Sequence, residues 1–185
     1  MRYSVENKIV SGFVASVLAL LVMGWLSYRT TTNYLTTQDW VSHTYQVMAT
    51  LESGRAILTD AETSQRGYLL TGDEQFLKDS QDAQAKISGW EKIIRALTVN
   101  DPQQQERLDN LSGLISQRLA VLNNRIKLRQ EQGIQAATNA VASHEGSVLM
   151  QQVWRGIAEM KDTENRFLTQ RRQAMVHLQL LDRYA

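Results

Sequence analysis

The longest uninterrupted apolar stretch of the chain lies near its N-terminus. Residues 9–26 form a run of 18 residues without a charged side chain. As an α-helix this run would be about 27 Å long, close to the ~30 Å hydrocarbon core of a bilayer. Trp25 and Tyr28 lie at its far edge, and aromatic rings favour the membrane–water interface. The pattern predicts a transmembrane helix over residues 9–28, with membrane lipid as its partner.

The charges that flank this run indicate the orientation of the chain in the membrane. Arg2 and Lys8 precede it, and only Arg29 follows it closely. Because positive residues are retained on the cytoplasmic side, residues 1–8 are predicted to be cytoplasmic and the remainder exported across the cell (inner) membrane. A cleaved signal peptide is the alternative. Its apolar region would span only about 7–15 residues and end in a small-residue cleavage site, so we favour an uncleaved, single-pass anchor.

Beyond the anchor, apolar residues recur every three or four positions, which is the spacing of one face of an α-helix. The predicted helices cover residues 30–70, 73–97, 102–133, 134–142 and from 148 into the 170s. The clearest apolar stripe consists of Leu108, Leu111, Ile115, Leu119, Leu122 and Ile126. Short connections between long helices favour antiparallel neighbours. We therefore predict an all-α fold, in which the transmembrane helix continues into an antiparallel up-down-up-down four-helix bundle.

Local signals mark the ends of these helices and of the bundle. Gly72 is expected to form a turn that ends the first helix. Thr71 and Glu74 are expected to form a capping box for the second helix. Asp101 is a favoured N-cap residue, and Gly133 is expected to end the third helix. The predicted bundle covers residues 29–172. Residues 173–185 are left as a C-terminal tail.

The amino-acid composition argues against several classes of function. The chain has one proline and no cysteine, and its formal net charge is +1. A single proline leaves long helices uninterrupted, whereas the absence of cysteine excludes disulfides and thiolate metal sites. The near-neutral balance gives no basic face large enough to predict nucleic-acid binding. No motif for catalysis, metal binding or cofactor binding stands out, and we predict a protein that is not an enzyme.

Charged residues interrupt two of the apolar stripes. Glu62 lies in the stripe of the first helix, and Glu164 and Arg171 lie in that of the fourth. Arg66, four residues after Glu62, lies on the same helix face. Residue counts from the predicted membrane base place Glu62 and Glu164 within roughly 12 Å of the same level. We expect these four residues to form one polar cluster. A clamp on helix register is the favoured interpretation, and a ligand contact or switch is the alternative.

Three arginines recur at seven- and four-residue intervals along the third helix. Arg118, Arg125 and Arg129 could together bind an anion. A solvated helix face is the favoured interpretation.

Two segments resemble a known family. Residues 62–73, with the sequence ETSQRGYLLTGD, resemble the signature of the type-three CHASE domain (cyclase/histidine-kinase-associated sensory extracellular domain). Residues 160–171 resemble its closing helix, and the whole resemblance covers about residues 35–172. Within the first segment Gly67 and Tyr68 belong to the family motif together with Glu62 and Arg66. The resemblance implies an extracytoplasmic four-helix sensor between two membrane spans, ahead of histidine kinases, nucleotide cyclases or chemotaxis-type modules.

The resulting functional hypothesis is the extracytoplasmic sensory input domain of a bacterial signal-transduction receptor. It would form a homodimer and relay an unidentified small-molecule or protein stimulus by helix rearrangement. The resemblance implies a second span after residue 172, whereas residues 173–185 are short and polar. The alternative is therefore a single-pass structural or adaptor bundle that regulates a membrane partner without binding a solute.

Overall fold

The computed structural model describes the backbone of residues 5–184 and the side chains of residues 10–28 and 40–173. Over this backbone the chain forms helices and no strand, which confirms the predicted all-α class. The helices are α1 (Val5–Thr71), α2 (Glu74–Leu97), α3 (Pro102–Ala142) and α4 (Glu145–Tyr184). The chain divides into two units, Met1–Ser42 and His43–Ala185. Residues 1–4 of the predicted cytoplasmic segment and the last residue of the predicted tail lie outside the described backbone.

The first unit contains an apolar helical segment. Val10–Tyr28 is long and apolar enough to cross a membrane, judged by its length and composition, and its side chains are exposed rather than packed within the unit. Helices that are apolar on all sides are typical of membrane spans or of the interior of large proteins. The segment coincides with the apolar run of the sequence, and the transmembrane helix over residues 9–28 stays a prediction.

The second unit begins with two antiparallel helices. The indole Nε1 of Trp90 donates to the carbonyl oxygen of Thr50 at 2.6 Å, and Ser80 Oγ donates to the carbonyl oxygen of Ala61 at 3.0 Å. Residue numbers thus rise along α1 as they fall along α2. Apolar packing also brings the two helices close at Gly54, where a side-chain Cβ would overlap the Trp90 indole.

The third and fourth helices complete the up-down-up-down order. α3 runs parallel to α1, because Gln65 donates to the carbonyl oxygen of Leu122 at 3.3 Å and Arg129 donates to that of Leu69 at 3.0 Å. α4 runs antiparallel to α3. Contacts at the start of α3 involve residues late in α4, and contacts further along α3 involve the start of α4. The bundle topology predicted from the short connections is confirmed.

The core of the bundle follows the predicted apolar stripes. Leu108, Leu111, Ile115 and Leu122 of α3 are almost fully buried, whereas Leu119 is only partly buried. Burial of each large aliphatic side chain stabilises the fold by roughly 1.5–3 kcal/mol before entropy is counted. The central cluster draws on all four helices, and its members are Val47, Leu51, Leu58, Ile87, Trp90, Ile94, Leu108, Leu111, Ile115, Met150, Val153, Ile157 and Met160.

The turn between α1 and α2 differs in detail from the expected capping box. Gly72 adopts φ 73°, and its N–H donates to the carbonyl oxygen of Tyr68 at 2.8 Å. The N-cap of α2 is Asp73, whose carboxylate accepts from the backbone N–H of Gln75 at 2.9 Å. Thr71 Oγ1 instead accepts from the N–H of Asp73. The capping-box prediction was wrong because α2 begins at Glu74, two positions later than a helix capped by Thr71 would begin.

The ends of α3 and the turn that follows it determine where α4 begins. Asp101 caps α3 as predicted, and Gly133 interrupts α3 with φ 83° and ψ −175°. Residues 134–142 continue as helix beyond this break, in line with the short helix that was expected there. A single residue in the left-handed region, His144 with φ 60°, then turns the chain. α4 therefore begins at Glu145, three residues before the predicted start.

Candidate functional site

One carboxylate on α1 serves two arginines in different environments. Glu62 Oε1 accepts from Arg66 Nη2 at 2.6 Å on the same helix and from Arg118 Nη2 at 3.0 Å on α3. The side chain of Arg66 is 66% exposed, that of Glu62 is 16% exposed and that of Arg118 is 1% exposed. Exposed ion pairs contribute at most about 1 kcal/mol. The pair with Arg118 is therefore the one that matters for the energetics of the bundle.

Arg118 is the most deeply buried charged residue of the described bundle. Nη2 of Arg118 pairs with Glu62. Nε and Nη1 of Arg118 are also buried, but they have no hydrogen-bond partner among the described residues. Burial lowers the pKa of Arg118, and the charge of Glu62 opposes this effect. The guanidinium nevertheless keeps its charge at neutral pH because its intrinsic pKa is so high. Buried donors of a charged group that remain unpaired are costly, so this arginine holds unused binding capacity.

A second buried arginine lies beside the first. Arg125 is seven residues further along α3, two turns away on the same face. Burial lowers its pKa, and the positive charge of Arg118 lowers it further. Both guanidinium groups abut the first turn of α4. A Cβ built on Gly146 would lie 3.0 Å from Arg125 Nη1 and Nη2 and 3.1 Å from Arg118 Nη1. The favoured interpretation of a solvated face was wrong for these two residues, because the start of α4 covers them.

We refer to Glu62, Arg66, Arg118, Arg125 and Glu145 as the arginine cluster. Three guanidinium groups here oppose two carboxylates, and Glu145 acts electrostatically on Arg125. The N-terminus of a helix adds partial positive charge. The cluster therefore has an excess of positive charge where α1, α3 and the start of α4 meet.

The third arginine of the series has a different role. Arg129 Nε donates to the carbonyl oxygen of Leu69 in the last turn of α1, at 3.0 Å. A cation near the carbonyl end of a helix stabilises it. Arg129 is therefore a capping residue for α1.

The structure separates the predicted polar cluster into two places. Glu62 and Arg66 pair as expected, but buried Glu164 accepts from Gln104 Nε2 at 2.9 Å, near the start of α3. Gln104 precedes Arg118 by 14 residues, or roughly 21 Å of helix. Arg171 is exposed and lies seven residues beyond Glu164 along α4, further from the arginine cluster.

The reason for this separation is the register of α1 against α4. Glu52 forms an ion pair with Lys161. Because the two helices are antiparallel, Glu164 lies level with residues that precede Glu52, and not with Glu62. The level expected from the sequence depended on where α4 meets the membrane, and no residue marks that point.

The other motif residues pack α1 against α2. A Cβ on Gly67 would lie 2.8 Å from the ring of Phe76, so only glycine allows this approach. Tyr68 is buried in a small apolar cluster with Leu77 and Ile126. Gly67 and Tyr68 therefore fix the end of α1. Among the described residues no group of three potential ligands could hold a metal ion.

The fold is an antiparallel bundle of four helices with buried charges in its core. It resembles the crystal structure of the Rhodopseudomonas palustris histidine kinase HK9 sensor domain, with a TM-score of 0.64 and 22% sequence identity. The match covers 68% of this chain and 98% of that domain. No curated protein matched the sequence.

The sequence matches the CHASE3 domain over residues 37–174, and the chain belongs to the CHASE3 domain family. These bounds agree closely with the resemblance that residues 62–73 and 160–171 indicated, and the recognition is confirmed. CHASE3 domains are extracellular sensory domains of histidine kinases and similar receptors, and are not themselves catalytic. The chain is thus a sensory input domain.

Proposed function

We propose that this chain is the extracytoplasmic input part of a bacterial transmembrane receptor with a histidine kinase or nucleotide cyclase output. The observation that carries this proposal is the position of Arg118. It lies on α3, pairs with Glu62 on α1 and is covered by α4 at Gly146. One incompletely paired charge on α3 thus contacts both α1 and α4, and any change in its partners changes the packing of these helices.

Such a residue suits a two-state element. Within the described part of the chain, the present contacts leave two donor nitrogens of Arg118 unpaired, and a different arrangement of α4 can supply acceptors for them. A stimulus shifts such an equilibrium only as far as its affinities for the two states differ. Small displacements of packed helices are a common form of signal relay. In our proposal the relayed change is a displacement of α4 relative to α1 and α3.

In this proposal residues 9–28 anchor the chain in the membrane, residues 1–8 are cytoplasmic and the bundle is exported as a homodimer. The apolar helix Val10–Tyr28 and the flanking charges support this orientation. Alkaline phosphatase, which is active only after export, tests it when fused after Arg172. High activity of the fusion in intact cells is expected. An inactive fusion beside an active cytoplasmic reporter at the same position would reject the orientation.

The receptor function is tested in a chimera that joins this chain, through a second membrane span, to a histidine kinase module. Glu62→Leu is expected to change the basal phosphorylation of the kinase, since it removes the partner of Arg118. Glu106→Leu, at an exposed position of α3, is the matched control and should leave phosphorylation unchanged. If folded Glu62→Leu protein phosphorylates like the control, the pair has a structural role only. That result would favour the alternative of an adaptor bundle.

A further inference from the structure

We infer that the start of α4, together with Arg118 and Arg125, forms a binding site for a small oxyanion. The chemistry it recognises is a carboxylate, sulfate or phosphate group. This inference deepens the proposed function, on which it rests only for the anion's role as a stimulus. The binding site itself is argued from the donors that converge at Gly146.

The first line of support is the set of unused donors. Arg118 has a 1% exposed side chain. Its Nε and Nη1 are without partners among the described residues, and Nη1 lies 3.1 Å from the position that a Cβ of Gly146 would take. The Nη1 group of the guanidinium therefore faces the first turn of α4. A guanidinium N–H forms a strong, charge-assisted hydrogen bond with an oxygen of a carboxylate or phosphate.

The second line of support is the helix end itself. The first four N–H groups of an α-helix have no acceptor within the helix. In α4, the N–H groups of Ser147 and Val148 turn back to the carbonyl oxygen of His144, at 3.0 and 3.1 Å. The preceding residues, Glu145 and Gly146, present the positive end of a 40-residue helix to the arginines. Helix N-termini of this kind readily bind anions.

The charge balance supports an anion over a water molecule. Arg118 and Arg125 are both buried, and the proximity of Arg118 lowers the pKa of Arg125. Placing two cations at the positive end of a helix is unfavourable unless negative charge is near. Glu62 and Glu145 supply part of that charge. Water would satisfy the free donors of Arg118 but would leave the excess charge, whereas an oxyanion neutralises both.

The test is thermal unfolding of the full chain in detergent micelles, with sodium sulfate, phosphate, acetate or succinate against sodium chloride at equal ionic strength. We expect a saturable rise in melting temperature of roughly 5–11 °C at about a hundredfold excess over the dissociation constant. A response confined to sulfate and phosphate identifies an inorganic anion, and one confined to acetate or succinate identifies a carboxylate. Sulfate and phosphate also stabilise proteins generally, but that effect does not saturate and is shared by all variants.

Three variants make the result decisive. Arg118→Gln should abolish the saturable rise, whereas Arg155→Gln, at an exposed position of the same α4 helix, should retain it. Because Arg118→Gln can also weaken folding, Gly146→Ala provides a second probe. Its added methyl group would crowd three guanidinium nitrogens, and we expect about a tenfold weaker affinity, equivalent to about 1.4 kcal/mol.

The inference is overturned if no anion gives a saturable response in the unmodified chain. Equal responses in Arg118→Gln and Arg155→Gln would also overturn it. Failure of the proposed function gives a different pattern. Anion binding with unchanged phosphorylation in the kinase chimera would reject the receptor role and keep the site. A chimera that answers another stimulus but binds no anion would reject the site and keep the receptor role.

Discussion

Replacement of Glu62 by leucine isolates the contribution of the buried charge to stability. The variant removes the partner of Arg118 and leaves its guanidinium, 1% exposed, without an opposing carboxylate. Removal of one member of a buried ion pair typically lowers the free energy of unfolding by about 3–5 kcal/mol. We take the lower end because the Glu62 side chain is itself 16% exposed. For a chain of this length, about 3 kcal/mol corresponds to a fall in melting temperature of roughly 6–12 °C.

The assay is thermal unfolding of the full chain, followed by circular dichroism at the helical band. Arg66→Ala is the matched control, since it removes the exposed partner of the same carboxylate and should cost at most about 0.5 kcal/mol. The double variant Glu62→Leu with Arg118→Leu should recover most of the loss, because an apolar pair of similar volume often replaces a buried ion pair without cost. If Glu62→Leu and Arg66→Ala melt within about 2 °C of each other, the assignment of a costly buried charge is refuted.

Three further variants test the packing and the surface charges of the bundle. Gly54→Ala should destabilise the fold by about 1–3 kcal/mol, because its methyl group overlaps the Trp90 indole. Gly113 has open space around it, so Gly113→Ala should stabilise α3 slightly. Equal stabilities of the two variants in a denaturant titration would contradict this prediction. Lys161 holds the pKa of Glu52 below its ordinary value of 4.5. The stabilisation by this pair is therefore present above that pH and is lost as the pH falls through the lower folded-state pKa. Glu52→Gln should cost a few tenths of a kcal/mol at pH 7 and nothing near pH 2, and a constant difference in melting temperature between the two pH values would show that the pair does not contribute.

Helices and their order followed from the sequence because the signals involved are local. A three- and four-residue apolar spacing exists before any tertiary contact forms, and it identified Leu108, Leu111 and Ile115 as core residues. Asp101 and Gly133 act within one turn of their own positions. Short connections then allow only antiparallel neighbours. For the same reason the predicted start of α4 was less accurate, since the turn at His144 carries no glycine or proline.

The burial of two arginines was missed although the sequence held a signal for it. Continued in steps of three and four, the stripe from Leu111 and Ile115 reaches Arg118, Leu122 and Arg125. The prediction instead followed Leu119, which is only partly buried, because a leucine suits an apolar seam better than an arginine. Whether an arginine in that seam is solvated depends on what covers it. That is set by the register of α4, which is a tertiary property.

α4 contacts buried polar residues of α3 at two places, and we predict that these two contacts are coupled. α4 meets Arg118 at Gly146 and meets Gln104 at Glu164. Apolar side chains tolerate small displacements along a helix, but a buried hydrogen bond has a narrow range of geometry. A displacement of α4 that alters one contact therefore strains the other.

Gln104→Leu leaves the buried carboxylate of Glu164 without the amide that donates to it at 2.9 Å. If an anion at the start of α4 selects one position of that helix, this variant changes the anion's affinity from roughly 21 Å away along α3. Coupling free energies of this type change affinity by at least about fivefold, which the sulfate or succinate titration can measure. Gln103→Leu, at the exposed neighbouring position, should leave the affinity unchanged. Equal anion affinities in the two variants would mean that the arginine cluster and Glu164 are not coupled. In that case α4 would not shift as a rigid helix between these two contacts.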